Sequence, residues 1–146
     1  MGAYEGATAP PGPRELMRAA HDFVASARAS SRRSAPLQSP PLLTFTVRVS
    51  NLGPIDTDEA VLGFIIPPGA GGPRGLPLRE LFAFVRVRVL ANATADVALD
   101  LSARDLTFLD ERGERFAPGG AFRVEFGVRG TAPGAFAEFG LSVDGS

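Results

Sequence analysis

The hydrophobic pattern of this chain changes its period near residue 41. Before that point, apolar residues recur at the spacing of one helix face: Leu16, Ala20, Phe23, Val24 and Ala27. Pro13 precedes them and suits the first position of a helix, where its missing N–H costs nothing. The pattern predicts one short helix in an otherwise flexible tail, residues 1–41, ending in a linker rich in Ser, Arg and Pro. A separate domain is predicted in residues 42–146.

Beyond residue 41, most segments alternate apolar and polar residues with a period of two, which is typical of strands with one buried face. Residues 60–66 are instead apolar on both faces, which predicts a central strand covered on both sides. The predicted strands lie within residues 42–50, 60–66, 82–89, 97–101, 106–109, 122–128 and 139–143. One of them changes phase, because Phe82 and Phe84 share one parity while Val85 begins the other. This change predicts a bend or bulge near Phe84.

Glycines and prolines separate these short strands, and no strand–helix–strand alternation is present. Six or seven strands at this spacing predict an all-β fold: an antiparallel sandwich of the immunoglobulin-like or fibronectin type III-like kind, preceded by the short helix and linker. Inward-facing positions such as Phe126 are expected to form its core. About a hundred residues of this kind are enough to fold alone.

The composition excludes several kinds of chemistry. The chain of 146 residues has no cysteine, which excludes disulfides, a thiol nucleophile and Cys-ligated metals. Its one histidine, His21, cannot supply a two-His metal site and is expected to be solvated. All fifteen basic residues are arginine, spread singly apart from Arg32 and Arg33, whereas nucleic-acid binding needs a basic stripe. We expect no metal, no cofactor, no nucleic acid and no membrane partner.

Motifs that could carry catalysis fail on detail. The Gly-rich residues 67–75 contain three prolines and no Lys-Ser/Thr pair, and a strand is predicted to follow, so they do not suit a phosphate loop. Acidic residues such as Asp56 and Asp110 fall at predicted turns, where carboxylates are commonly solvated. No serine has the Gly-x-Ser-x-Gly context, and His21 is remote in sequence from the serines of the strands. No catalytic residue is expected.

Two features bear on the compartment of the protein. The N-terminal residues have neither the positive region nor the apolar run of a secretory signal, so no export signal is predicted in this chain. Asn92-Ala93-Thr94 is an N-glycosylation sequon at a predicted hairpin turn. Asn92 is therefore a candidate glycosylation site if the chain is secreted.

Several short motifs follow one another in a characteristic order and spacing. They are Val47-Arg48-Val49-Ser50-Asn51-Leu52-Gly53, then Ala60-Val61-Leu62-Gly63-Phe64 with Pro67-Pro68, then Leu78-Arg79-Glu80-Leu81 with Phe84, then Asp105-Leu106 and the turns after it. Over residues 43–128 they resemble the C-terminal fibronectin type III-like domain of glycoside hydrolase family 3, in its β-xylosidase/α-arabinofuranosidase branch or, next, its β-glucosidase branch. The residues matched to the family motif are expected to be structural: Asn51, Gly53, Glu80, Leu81, Phe84, Asp105, Leu106, Asp110, Gly113, Pro118 and Gly119.

The resemblance implies an accessory role without catalysis. In that family the catalytic nucleophile and acid/base belong to other domains, so no catalytic residue carries over and the chain is expected not to be an enzyme on its own. The resemblance implies packing against the catalytic domains of a glycoside hydrolase, in cis in relatives or in trans here, with polysaccharide contact at the edge of their cleft. It also implies breakdown of xylan, arabinan or β-glucosides, and an extracellular location.

Two other functions stay open on the sequence alone: a freestanding immunoglobulin-like interaction or adhesion module, and a weak glycan-binding module. The chain has no tryptophan, and its one tyrosine, Tyr4, lies in the tail, so aromatic platforms for sugar rings are scarce. Docking on a catalytic domain predicts an exposed apolar patch of several hundred Å² on one face of the sandwich, with residues 67–75 at its rim. A uniformly polar exterior would remove that hypothesis.

Overall fold

The computed structural model describes residues 2–4, 11–29, 40–72, 75–129 and 134–141. These residues form one α-helix, one 3₁₀ helix and nine strands. In chain order they are β1 (Gly2–Tyr4), α1 (Pro13–Ala29), β2 (Pro41–Ser50), β3 (Thr57–Ile66), β4 (Glu80–Val89), β5 (Thr94–Ser102), the 3₁₀ helix (Ala103–Leu106), β6 (Phe108–Leu109), β7 (Arg115–Phe116), β8 (Gly120–Val128) and β9 (Ala135–Leu141).

Two antiparallel sheets pack face to face. The three-stranded sheet has the order β1-β2-β5 and the four-stranded sheet the order β4-β3-β8-β9, while β6 and β7 form a small hairpin beside them. Across the sandwich, the ring centroid of Phe45 on β2 lies 5.3 Å from that of Phe126 on β8 and 6.3 Å from that of Phe82 on β4. The predicted all-β antiparallel sandwich is confirmed.

The core lies between the sheets because every second residue of the main strands points inward. Phe126 is only 2% exposed, in agreement with its parity in the sequence. The inward residues of the three-stranded sheet are Leu43, Phe45, Val47, Val49, Val97, Leu99 and Leu101. Those of the four-stranded sheet that are fully enclosed include Val61, Ile65, Val89, Phe122, Val124 and Phe126. This apolar packing is the main source of stability.

Strand β4 carries the predicted bulge, with Phe82 as the extra residue. Gly63 of β3 pairs with Ala83, whereas the next residue, Phe64, pairs with Leu81. The Phe82 ring lies over Gly63, where a Cβ atom would approach the ring to 2.9 Å. Glycine at position 63 therefore makes room for the ring, and the bulge places Phe82 toward the core while Phe84 faces solvent.

Helix α1 covers one flank of this core. It begins at the predicted Pro13 and packs against the 3₁₀ helix, β7 and β9. Its buried face is Leu16, Met17, Ala20, Phe23 and Val24, of which the helical spacing in the sequence identifies all but Met17. His21 is exposed, as expected.

No alternation in the sequence predicts β1, yet residues Gly2–Tyr4 pair with β2 and place Ala3 opposite Thr46. Backbone hydrogen bonding needs no side-chain pattern, which explains why so short a Gly-Ala-Tyr strand escapes a periodicity argument. The division into a tail of residues 1–41 and a domain of residues 42–146 stays a prediction. Residues 30–39, interpreted as a linker, lie outside the described residues, as does Val143 of the last predicted strand.

Candidate docking surface

The outer face of the three-stranded sheet is polar along β2 and β5. Thr44 and Arg48 on β2 lie opposite Asp100 and Asp96 on β5. The Thr44 hydroxyl donates to Asp100 Oδ1 at 2.7 Å, and Arg48 Nε donates to Asp96 Oδ1 at 3.0 Å. The hydrogen bond from Arg48 holds the pKa of the Asp96 carboxyl below its ordinary value. These polar groups therefore find their partners within the sheet.

The outer face of the four-stranded sheet carries a group of large apolar side chains beside charged pairs such as Arg88–Asp58 and Arg123–Glu125. Leu62 and Phe64 on β3 are flanked by Leu81 and Phe84 on β4, and Phe136 lies on the edge strand β9. Leu81 is 51% exposed, Phe84 61% and Phe136 55%. We call these five residues the apolar face. Large apolar side chains left this exposed on one face of a sheet are typical of surfaces that contact another macromolecule.

Arginine side chains stack on two rings of the apolar face. The Arg79 guanidinium carbon lies 4.2 Å from the centroid of the Phe64 ring, and that of Arg123 lies 3.8 Å from the centroid of Phe136. Arg123 Nε also donates to Glu125 Oε2 at 3.1 Å. A stacked guanidinium is held in place and keeps N–H groups at its edge for acceptors. The apolar face is thus bordered by donors whose positions are fixed.

Sequence parity did not identify the two exposed phenylalanines on this face. Phe84 has the same parity as Phe82, but the bulge in β4 turns it to the opposite side of the sheet. Phe136 lies outside the last predicted strand, residues 139–143, whereas the observed strand β9 begins earlier, at Ala135. The phase change in β4 is the sequence signal for the bulge. Placing the extra residue of the bulge at Phe82 assigns Phe84 to the outer face.

Two of the motif residues tie the loops at one end of the sandwich. Asn51 Nδ2 donates to the carbonyl oxygens of Ile55 at 2.7 Å and Val89 at 3.1 Å, and Asn51 Oδ1 accepts from Gly53 N at 2.9 Å. Asn92 N donates to Gly53 O at 3.2 Å, which links the loop after β2 to the turn before β5. Asn92 is exposed, with a φ of 55°. Its glycosylation stays a prediction.

Asp110 organises the turn of the β6–β7 hairpin. Its Oδ1 accepts from Arg112 N at 2.8 Å and Glu114 N at 2.9 Å. Gly113 has a φ of 78°, a conformation that glycine adopts without strain. Two further motif residues, Leu106 and Pro118, are buried, and a third, Gly119, is exposed. This group of motif residues thus builds turns and core.

Three more motif residues meet at a different surface, whereas Phe84 lies on the apolar face. A cleft of about 540 Å³ opens at the start of β4, and Glu80, Leu81 and Asp105 contribute to its walls. Asp105 Oδ2 accepts from Ser102 N at 2.8 Å and from Ser102 Oγ at 3.1 Å. Burial raises the pKa of the Asp105 carboxyl, although the bonds from Ser102 oppose the shift. Leu81 belongs both to this cleft and to the apolar face.

Within the described ranges, no three His, Asp or Glu side chains are grouped closely enough to hold a metal ion. In the same part of the chain, no helix has the length and apolar character needed to cross a membrane.

Comparison with known proteins identifies the domain. Residues 59–128 match the family model described as Fn3-like, the fibronectin type III-like domain. This part of the chain is a fibronectin type III-like domain. Beta-D-xylosidase 1 of Arabidopsis thaliana is 36% identical over 89 residues, which are 60% of this chain and 11% of that protein. The beta-glucosidase of Rhizobium radiobacter is 34% identical over 74 residues, which are 51% of this chain and 9% of that one.

Solved structures show the same fold. The GH3 beta-glucosidase of Bifidobacterium adolescentis superposes with a TM-score of 0.63 at 22% identity, and the superposition covers 100% of this chain and 18% of that one. The beta-glucosidase D2-BGL of Chaetomella raphigera gives a TM-score of 0.62 at 21% identity, over 71% of this chain and 15% of that one.

The fibronectin type III-like domain resembles the C-terminal module of family 3 glycoside hydrolases. Relatives carry this module in the same chain as their catalytic domains. This chain spans about a tenth of the curated relatives' length and does not cover their catalytic domain.

Proposed function

We propose that this chain is a non-catalytic accessory domain that docks through its apolar face on the catalytic domains of a family 3 glycoside hydrolase and stabilises them. The observation that carries the proposal is the exposure of Leu81 and Phe84 on β4, next to Leu62 and Phe64 on β3, together with that of Phe136 on β9, the opposite edge strand of the same sheet. Contacts between domains cover roughly 600–1,500 Å², an area for which one face of a sheet is well suited.

The location of the apolar face supports docking over a purely structural explanation. Phe84 and Phe136 contribute little to the core of this domain, because each is more than half exposed. Covering such side chains would release free energy of about 25 cal/mol per Å² of apolar area. Covering the outer face of the three-stranded sheet would release less free energy, because its polar side chains already bind one another. They are Thr44 with Asp100 and Arg48 with Asp96.

The names of the relatives support one class of enzyme for this proposal. They are named a beta-D-xylosidase and beta-glucosidases. We therefore place the function in the breakdown of xylan, arabinan or β-glucosides, with the catalytic domains in the same chain or in a separate one, outside the cell. The proposal includes direct contact with the polysaccharide at the edge of the substrate cleft, where the docked domain borders it.

Independent glycan binding has less support than docking. A sugar ring binds aromatic side chains by stacking on their faces, but Arg79 and Arg123 already occupy one face of Phe64 and of Phe136. Calorimetry with xylo-oligosaccharides is expected to show no binding heat. A saturable signal would instead support the glycan-binding alternative.

The docking proposal can be tested by site-specific photo-crosslinking. A benzoylphenylalanine at position 84 places the reactive group on the apolar face, where Phe84 is 61% exposed. Expressed in the source cells, this variant is expected to form a cross-link whose peptides belong to a glycoside hydrolase catalytic domain. Mass spectrometry of the cross-linked peptides identifies the partner and shows whether it lies in the same chain.

The matched control carries the same group at Ala98, an exposed position on the outer face of β5. It is expected to give no cross-link to the catalytic domain. Equal yields from positions 84 and 98 would contradict docking through the apolar face. Cross-links from position 84 only to proteins of other classes would favour the freestanding interaction module.

A further inference from the structure

Arg115 places a half-buried positive charge in the wall of the cleft at the start of β4. Its Nη1 donates to Thr107 Oγ1 at 2.9 Å, and its guanidinium carbon lies 5.5 Å from the ring centroid of Phe23 on helix α1. Thr107 is only 4% exposed, and its hydroxyl donates to the carbonyl oxygen of Arg104 at 2.8 Å. Neutral groups thus hold Arg115 in position from behind.

The cleft supplies no direct counter-charge for Arg115. Among the described residues, no ion pair within 4.0 Å joins it to a carboxylate. Asp105 is engaged by Ser102, and Glu80 acts on Arg115 only through its charge. Burial and the nearby positive charge of Arg104 lower the pKa of Arg115. A guanidinium has five N–H donors, so most of the donor capacity of Arg115 is open to another acceptor.

The cleft and the apolar face are continuous, since Leu81 belongs to both. A domain that covers the apolar face can therefore reach Arg115 without a gap. Leu109, which is 57% exposed, lines the same cleft. Leucines beside a charged group can exclude water from an ion pair once a partner covers them, as around the central residues of protein interfaces.

We propose that Arg115 binds a carboxylate side chain of the catalytic domain on which the apolar face docks. This inference rests on the proposed function and adds the chemistry of one contact. A guanidinium matches a carboxylate geometrically and binds it through two parallel N–H bonds. The leucines Leu81 and Leu109 favour a protein partner over an acidic sugar, because sugar hydroxyls placed there would lose their hydrogen bonds to water.

The carboxylate site can be tested on the chain alone by NMR. The probe is N-acetyl-glutamate amide, a glutamate side chain without other charges, and its neutral counterpart is N-acetyl-glutamine amide. Titration of the glutamate probe is expected to shift the Nε–Hε signal of Arg115 in a saturable way. The glutamine probe at equal concentration is expected to leave that signal in place, because it lacks the negative charge.

Two variants separate binding from folding. Arg115→Lys keeps the charge but loses the fork of donors, and it is expected to weaken binding about tenfold. Arg112→Gln, on the exposed turn of the β6–β7 hairpin, is expected to leave the affinity unchanged. Thermal unfolding followed by circular dichroism shows whether Arg115→Lys is folded. If it is not, the shift of the Arg115 signal in the unaltered chain still decides the matter.

Three results would overturn the proposal: no shift with the glutamate probe, equal shifts with the glutamate and glutamine probes, or binding of glucuronate as tight as that of the glutamate probe. The last result would assign the cleft to an acidic sugar. Each of them leaves the cross-linking test of docking at position 84 unaffected, so failure of the carboxylate contact and failure of the proposed function can be told apart.

Discussion

The two sheets of this sandwich share one core but present different outer faces. On β2 and β5, Thr44 binds Asp100 and Arg48 binds Asp96 across the strands. On the four-stranded sheet, Phe84 and Phe136 stand more than half exposed. The polar face satisfies its own groups, whereas the apolar face leaves area that only another surface can cover. A domain can therefore be fully folded and still expose large apolar side chains on one face, which under the docking proposal a partner covers.

The largest expected effect comes from a matched pair of substitutions on the inner and outer sides of the four-stranded sheet. Phe126 is buried against Phe45 and Phe82, so Phe126→Ala is expected to lower the free energy of unfolding by about 3–5 kcal/mol. Phe136 is 55% exposed, so Phe136→Ala is expected to change it by less than about 1 kcal/mol. Urea unfolding measures both. Equal losses would mean that the apolar face is part of the stabilising core and not a surface held for a partner.

The second prediction concerns the bulge that turns Phe84 toward the apolar face. Gly63→Ala adds a Cβ that would lie 2.9 Å from the Phe82 ring and 3.2 Å from Leu99 Cδ2. We expect a loss of about 1–3 kcal/mol, because the packed ring must move. Gly134→Ala is the control, since nothing lies within 4 Å of the added atom. If both variants unfold at the same urea concentration, the close packing of Phe82 on Gly63 is not present in solution.

These two positions also show how far the sequence determines the fold. Alternation located the buried side of β2 and β8, including Phe126, because one face of each strand must leave water. It could not do so for β3, whose residues 60–66 are apolar on both faces. The same rule could not place Phe84, since a single bulged residue reverses every side chain after it. The sandwich was therefore predictable from local patterns, but the composition of its outer face was not.

The candidate site depends on contacts that no local pattern encodes. Arg79 stacks on Phe64, a residue of the preceding strand, and Arg115 is held by Thr107 and lies near Phe23 of helix α1. Such contacts arise only once the strands and the helix are assembled. The family motif pointed to Leu81 by resemblance, but its place in both the cleft and the apolar face follows from the assembled sheet.

A smaller effect on the free energy of unfolding is expected at Asp105, which lies in the cleft wall and on neither outer face. Burial raises its pKa above the ordinary 3.8, so the folded state binds a proton more tightly than the unfolded chain does. Its contribution to stability is full below the ordinary pKa and is lost as pH rises through the raised value. Urea unfolding at several pH values between 3 and 7 should show this loss in the unaltered chain relative to Asp105→Asn. Parallel pH profiles would show that burial of this carboxyl has no net effect.

The smallest effect on stability is expected on the polar face, where the side chain of Asp96 is about half exposed. The hydrogen bond from Arg48 lowers the pKa of Asp96, so the pair stabilises the fold above the ordinary pKa of 3.8 and this contribution is lost as pH falls through the lowered value. In Arg48→Gln, carboxyl NMR should show the pKa of Asp96 returning toward 3.8. Added salt should raise the Asp96 pKa of the unaltered chain in the same direction, because salt screens exposed charges. Thr44→Val, which leaves this pair intact, should not move it. If Arg48→Gln also leaves the Asp96 titration unchanged, the Arg48–Asp96 pair does not form in solution. The contrast between a polar face that pairs its own groups and an apolar face that does not would then lose its support at this pair.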